Sequence, residues 1–497
     1  MITLISPYSD ITSYPVRILS ACLRSKGFKS RLIFLPDLKH MTFQSPADPR
    51  YPYDEKTVNQ VIDLCRGSSL IGISFFSSNF PHAVYLTKRI KERLDIPVVW
   101  GGKHPSAQPE DSLLYTDMVC IGEGEEVVAE LLGKIERGED YHDTQNMWFK
   151  RNGTLIKNPN RPLLQNLDMI PFPDYSFDDH YIREIETNEI VPLTPAIFKE
   201  YLPQESPTRL LPYETLFSRG CPYSCTYCYS FKEVYAGQKY LRFRSIENIM
   251  QELELMKAKF AHIQMIWFVD DNIFVLPIEK IKEFCRNYKE RIGLPMSFAG
   301  HPLNISEEKL AYFTEAGMRG IHMGVQSGSQ RIQRLYKRRM PEEKILKAVH
   351  AIHRFKDTLV PVYDFITDNP YETNDDIIDS IKLALKFPRP RLLQVFSLMF
   401  FPGTELREQA EEEGLISKDD KTNIFRRDFG DFYIRKKKYL NLVFPLFNLN
   451  APNFIIKILI NKHVVALLDR PMINEMLFGI SGFLKKIRDA IKIRRNT

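Results

Sequence analysis

Cys221, Cys225 and Cys228 fall within eight residues of one another, in the stretch Ser-Arg-Gly-Cys-Pro-Tyr-Ser-Cys-Thr-Tyr-Cys. Three thiols this close are metal ligands before they are anything else. The other four cysteines, Cys22, Cys65, Cys120 and Cys285, are scattered and the total of seven is odd, so no disulfide framework is expected. A reducing cytoplasm suits that usage. A structural zinc site wants four ligands, usually as two close pairs. Downstream only Cys285 remains, and His262, His301 and His322 form no paired motif. Thiolates also favour iron–sulfur clusters. An electron-transfer cluster takes four cysteines, whereas three thiolates on a four-iron cluster leave one iron open to a second molecule.

The elements around this loop alternate. After "YETLFSRG" (213–220) come a helical pattern at 247–260 and a buried strand, 263–274, ending in Asp270, Asp271 and Asn272. Strand, tight turn and helix then recur through 295–300, 318–338 with Gln326 and Ser327, 359–381 and 390–400. Six such units predict a partial parallel (β/α)6 barrel over 211–405, with function at the carboxyl ends of its strands. The cysteine loop, Asp270 to Asn272, His301, Gln326 and Asp364 all fall there. Paired carboxylates after a strand also cap helices, so Asp271 and Asn272 have that reading open as well.

Residues 1–140 alternate similarly: "ITLIS" (2–6), "SRLIFL" (30–35), "LIGISFF" (70–76), "PVVWGG" (97–102) and "DMVCIGEGE" (117–125), with helical stretches between. Apolar strands with helical crossovers predict a doubly wound, Rossmann-like parallel sheet covered on both faces, with ligands at the strands' carboxyl ends. Those ends are small or polar: Ser74, Gly101 and Gly102 with His104, and Gly122, Glu123 and Gly124. The spacing is not Gly-x-Gly-x-x-Gly, which argues against a nicotinamide dinucleotide.

Two resemblances follow from these motifs. "GISFFSS", "VVWGGKHPSAQPE" and "CIGEGEEVVAELL" resemble, in order and spacing, the cobalamin (B12)-binding domain that precedes many radical S-adenosylmethionine (SAM) enzymes. C-x3-C-x2-C with an aromatic before the last cysteine is similar to the motif of the radical SAM superfamily. The resemblance implies that Cys221, Cys225 and Cys228 hold a [4Fe-4S] cluster whose open iron binds SAM. Electron transfer to SAM then yields a 5′-deoxyadenosyl radical that abstracts hydrogen. It places Tyr227 against the adenine and gives Asp270, Asp271, Asn272, Gln326 and Ser327 a part in holding SAM or the local loop. Gln326 stands where many relatives have glutamate, so a neutral amide replaces a charge. It likewise implies cobalamin contacts from Ser74, Gly101, Gly102, His104, Gly122, Glu123 and Gly124. No histidine lies in Asp-x-His-x-x-Gly, so the lower face of the corrin is expected to lack a histidine ligand, and His104 is expected to shape its loop or touch the corrin edge. "LDMIPFPDYSFDD" (167–179) resembles the inter-domain segment of this family within a linker or insertion at 141–210, and "FFPGTELREQAEEEGLI" (400–416) the segment that closes the radical domain.

The implied activity is C-methylation of an unactivated carbon. A radical cyclisation or other oxidative rearrangement is the alternative within enzymes, and a non-catalytic cluster-bearing electron-transfer protein the alternative outside them. No catalytic side chain is assigned. The substrate is expected to be a small or lipid-like molecule, and the reductant an external donor of flavodoxin or ferredoxin type. A net charge of +6 over 497 residues does not suggest a nucleic-acid binder. No basic n-region precedes an apolar stretch and no run of eighteen apolar residues occurs, so neither a signal peptide nor a spanning helix is expected. Residues 406–497 are expected to form a mostly helical extension. In its last fifteen residues six Lys or Arg face one Asp, with apolar residues at helical spacing. That end reads either as a solvated helix or as a peripheral contact with anionic lipid at the inner membrane surface of a cytoplasmic protein.

Overall fold

The computed structural model describes residues 1–8, 10–12, 14–37, 53–202, 208, 210–417 and 438–478. Nine strands form the first sheet: β1 (Ile2–Ser6), β2 (Ser30–Phe34), β3 (Leu70–Ser74), β4 (Val98–Gly101), β5 (Met118–Cys120), β6 (Met147–Arg151), β7 (Thr154–Lys157), β8 (His180–Glu184) and β9 (Glu189–Pro192). Their order is β7-β6-β5-β4-β3-β1-β2-β8-β9. The strands from β5 across to β8 run parallel, and β6, β7 and β9 are antiparallel additions at the two edges. The order reverses between β1 and β3, which opens a crevice at their carboxyl ends, the place where open α/β sheets bind ligands.

Continuous apolar sequence makes the central strands. Every residue of β1 is buried, and β3 is buried through Ile73. Each fully buried Ile or Leu side chain contributes about 1.5–3 kcal/mol relative to exposure. Trp100 on β4 is wholly buried, and its indole N–H donates to Thr87 Oγ1 at 2.8 Å, so burial leaves no polar atom stranded. The segment expected as linker or insertion, 141–210, supplies four of the nine strands. β8 extends the sheet by pairing in parallel with β2, Leu32 opposite His180.

A second, six-stranded sheet has the order β10 (Pro212–Thr215), β13 (Met265–Phe268), β14 (Met296–Gly300), β15 (Met318–Gln326), β16 (Val360–Thr367) and β17 (Leu392–Ser397). β10 and β17 are its edges, so it is an open, partial barrel. A two-stranded ribbon, β11 (Ser218–Arg219) and β12 (Arg242–Phe243), brackets the cysteine loop. The chain divides into two compact units, one comprising 1–273, 282–297 and 399–431, the other 274–281, 298–398 and 432–497. The first sheet, β10 to β13 and the cysteine loop belong to the first unit, and β15 to β17 with the C-terminal helices to the second. Among the described residues no helix is long and apolar enough to cross a membrane. The basic end at 483–497 lies outside the described residues.

Candidate cofactor sites

β11 delivers the chain into the cysteine loop through Gly220, whose φ of +95° favours glycine and whose added Cβ would lie 2.7 Å from the Tyr240 carbonyl. A turn follows in which Cys228 N–H donates to the Cys225 carbonyl at 3.0 Å. Cys221 and Cys225 are partly buried and Cys228 is exposed. Burial, with Asp271, Cys225 and Cys228 as negative neighbours, pushes the Cys221 thiol up to about 12, against the N–H of Tyr223. Deprotonating Cys221 needs added positive charge, which iron would supply. Among the described residues no three His, Cys, Asp or Glu side chains converge as a single-ion site requires. A four-iron cluster makes a different demand, because each thiolate bonds a different iron. The donor set therefore fits a cluster better than zinc.

Asp270 fixes the entry to this loop. It is 2% exposed at the end of β13 and accepts from Phe217 N at 2.9 Å and from both the N–H and hydroxyl of Ser218. Burial raises its carboxyl to about 6 even so. Asp270 thus anchors the strand that leads to Cys221. Asp271 is exposed and acts electrostatically on Cys221, while Asn272 is buried. Tyr227 is half-buried. The exit of the loop is tied down by the segment at 400–416: Leu406 N–H donates to the Thr226 carbonyl at 2.9 Å. Gly403, at φ +74°, packs so closely on Tyr229 that a Cβ would lie 3.0 Å from its ring.

In the second unit, Gln326 ends β15 at φ +69°, an uncommon conformation for a side chain, beside a bulge between Gly324 and Gln326. Ser327 is wholly buried, and its hydroxyl sits 3.2 Å from Ser380 Oγ and accepts from Ser329 N–H, so it shapes the turn. On the half-buried face of β15 and β16, His322 Nδ1 lies 4.0 Å from Asp364 Oδ1. Burial raises Asp364 to about 7, against the opposing pull of His322. His301 Nδ1 accepts from Leu303 N–H, and burial followed by the charge of Arg338 lowers the ring to about 3.

The small residues at the ends of β3, β4 and β5 come together. Phe75 N–H donates to the Gly101 carbonyl, and Gly102, at φ +100°, sits where a Cβ would lie 2.6 Å from the Phe75 carbonyl and 3.3 Å from Ser74 Oγ. At Gly101 a Cβ would meet only Cys120, at 3.9 Å. Ser106 Oγ donates to the Gly102 carbonyl at 2.8 Å and accepts from Gly122 N–H at 2.9 Å, joining two of the loops. His104 is 1% exposed, with Nδ1 3.1 Å from Ser77 Oγ and its ring stacked on Phe75 and close to Phe80. Its ring is thereby packed into the loop that follows β4. Small residues at the carboxyl ends of parallel strands next to a topological switch, with Gly101 open where a side chain would stand, fit a corrin.

Sequence reasoning did not foresee how the third loop is used. Glu123 N–H donates to the Tyr235 hydroxyl at 2.8 Å. The carboxylate of Glu123 takes two bonds from Arg242, at 2.6 and 3.1 Å, and pairs with Arg219 at 3.3 Å. Burial opposes its charge, but the bonds from Arg242 and the charges of Arg219 and Arg242 hold the carboxyl below its usual range. Gly122 has φ +75°, and Tyr235 occupies the space a Cβ would need, so both the backbone and the contact call for glycine. Gly124 packs on Leu19, Cys120 and Val128 at the start of the helix Val127–Arg137. The first sheet is thereby bolted to both strands of the ribbon that brackets the cysteines. The one sequence signal for this was the arginine beside Gly220.

Residues 2–132 match the B12 binding domain and residues 215–384 the radical SAM superfamily. The chain is 26% identical over 401 residues to the uncharacterized methyltransferase PH0819 of Pyrococcus horikoshii, covering 76% of this chain and 81% of that one. It is 22% identical to the anaerobic magnesium-protoporphyrin IX monomethyl ester cyclase of Synechocystis sp., over 69% of this chain and 64% of the cyclase. The fold is shared with the radical SAM methyltransferase TsrM of Kitasatospora setae (TM-score 0.63, 16% identity, 83% of this chain and 76% of that one). It is also shared with the cobalamin-dependent SAM radical enzyme OxsB (TM-score 0.62, 17% identity, 89% of this chain and 65% of that one). With a B12-binding domain ahead of a radical SAM domain that carries its three-cysteine loop, this chain belongs to the cobalamin-binding radical SAM enzymes, whose cofactors are a [4Fe-4S] cluster, SAM and cobalamin.

Proposed function

We propose that this enzyme transfers a methyl group to an unactivated carbon of a small or lipid-like molecule. The observation that carries the reading is the pairing of a B12-binding domain with the three-cysteine radical SAM domain in a chain similar over 76% of its length to a methyltransferase; the Glu123–Arg242–Arg219 junction ties the first to the ribbon holding the cysteines. The bound cofactors supply a primary carbon radical and a transferable methyl group; the protein's part is to hold them and exclude solvent. Cys221, Cys225 and Cys228 would hold the cluster. Asp270 sets the entry to their loop, and the backbone at Ser74, Gly101, Gly102, Gly122 and Gly124 would line the corrin. Tyr227, Asp271, Asn272, Gln326 and Ser327 belong, in this reading, to the SAM side. The half-exposed thiols leave an external low-potential donor of flavodoxin or ferredoxin type a route to the cluster.

The likeness to the cyclase favours a second reading, radical rearrangement without methyl transfer. Anaerobic turnover of the reconstituted holoenzyme separates the two. With trideuteromethyl SAM and a dithionite or flavodoxin reductant, methyl transfer yields S-adenosylhomocysteine as well as 5′-deoxyadenosine. 5′-Deoxyadenosine without S-adenosylhomocysteine favours the cyclase-type reading. Absence of both products points to a non-catalytic cluster protein.

A further inference from the structure

Fifteen large hydrophobic side chains are exposed among the described residues, and seven of them lie between Leu449 and Met476. They are Leu449, Phe454, Ile455, Ile458, Leu467, Met472 and Met476, with Phe454 64% and Met472 86% exposed. Scattered single hydrophobics need no explanation, but a run of them on consecutive short helices does.

These helices have a fixed inner side. In Asn453–Leu459 only Ile456 is buried, and in Lys462–Leu468 only Val465. Arg389 donates to the carbonyls of Asn450 and Ala451, and Arg391 to Asn453 Oδ1 at 2.8 Å. Asp469 accepts from Tyr439 N–H, Asn374 and Asn474. These bonds hold the segment to the rest of its unit, and the apolar side chains stay exposed.

The charges interleaved with them are mostly cationic. Lys457, Lys462 and Arg470 are exposed; Asp469 is spent on the inward bonds, and Glu475 is the exposed acid of the segment. Lys462 lies 3.4 Å from Asp375 in a surface pair that salt and solvent weaken. The sequence then continues, beyond the described residues, into six Lys or Arg against one Asp over 483–497. A second copy would cover the apolar side chains but bring the same cations together. Phe, Ile, Leu and Met beside a concentration of cations match instead the two terms that hold interfacial helices, apolar insertion and attraction to anionic headgroups.

We propose that residues 449–476 form a membrane-docking face that seats this enzyme on an anionic lipid surface, with the basic end of the chain adding attraction. The face does not depend on which radical reaction the enzyme performs. The test is flotation of the full-length holoenzyme with vesicles of phosphatidylcholine alone or phosphatidylcholine mixed with phosphatidylglycerol. Flotation with the anionic vesicles, weakened by salt and slight on phosphatidylcholine, is expected. Phe454→Asp with Ile458→Asp should reduce it by about tenfold or more while leaving melting temperature and cluster absorbance as they were. Met472→Asp, at the most exposed position, should reduce it independently. A chain ending at residue 482 should still float, less well. Absence of flotation on anionic vesicles, undiminished flotation of the double variant, or complete loss on removing the basic end would each overturn the assignment. A concentration-dependent dimer dissolved by the double variant, with no lipid binding, would assign the face to a second copy instead.

Discussion

The loops that end β3, β4 and β5 and the loop that bears the three cysteines follow opposite plans. In the first group side chains tie the loops to one another: Ser106 bridges Gly102 and Gly122, and His104 Nδ1 is held by Ser77 with the ring packed on Phe75 and Phe80. In the cysteine loop the backbone is anchored at entry by Asp270 and at exit by Leu406, but burial and the neighbouring Asp271, Cys225 and Cys228 oppose the ionisation of Cys221. The difference follows from the bonds each cofactor makes. A corrin is gripped by shape and many weak contacts, so its cradle must exist beforehand. Iron bonds thiolates directly, so the protein need only bring them near and let the metal supply charge and order.

The most severe break in that contrast is at the cysteines. Cys225→Ala should abolish iron–sulfur absorbance and 5′-deoxyadenosine formation while leaving cobalamin retention intact; reductive SAM cleavage persisting in the variant would refute the cluster assignment. Gly102→Val puts a branched side chain at φ +100° and a Cβ 2.6 Å from a carbonyl, and should weaken cobalamin retention by about tenfold or more, read from the corrin absorbance of purified protein. Unchanged retention would mean that the cradle lies elsewhere. Glu123→Gln removes the carboxylate that Arg242 and Arg219 share, and about 3 kcal/mol of stability should go with it in chemical denaturation, because Arg242 is left buried without a charged partner while Arg219 keeps Glu125 at 2.6 Å. A smaller effect is expected from pH. Burial raises Asp364 to about 7 and Glu372 to about 8, so the folded protein holds protons that the unfolded chain releases near pH 4. Their contribution is therefore full below that pH and is lost as pH rises toward 7–8, and Asp364→Asn should flatten part of the slope in thermal unfolding. The least change should come from His104→Gln: the spin-resonance signal of the Co(II) form should show no loss of an axial nitrogen, since the ring is turned to Ser77.

Much of the fold was legible because parallel strands buried on both faces write themselves as apolar runs, as in "LIGIS" and "MIWF". β8 and β9 were not, since "HYIRE" and "EIVP" are short and only partly buried, and their register depends on β2 rather than on their own periodicity. Asp270 to Asn272 were found as a group, but their division of labour was not. Asp270 turns inward to the Phe217 and Ser218 amides, whereas Asp271 faces out and acts on Cys221.

By itself the sequence determined the chemistry on offer, because ligand type and spacing are local: three thiols within eight residues, glycines at strand ends, and no histidine in the pattern that ligates cobalt. Tertiary structure decided what holds that chemistry in place. Glu123 meets Arg242 across 119 residues, and Leu406 reaches back to Thr226 between two of the cysteines. Such pairs depend on the path of the whole chain, which brings together groups that no local spacing relates.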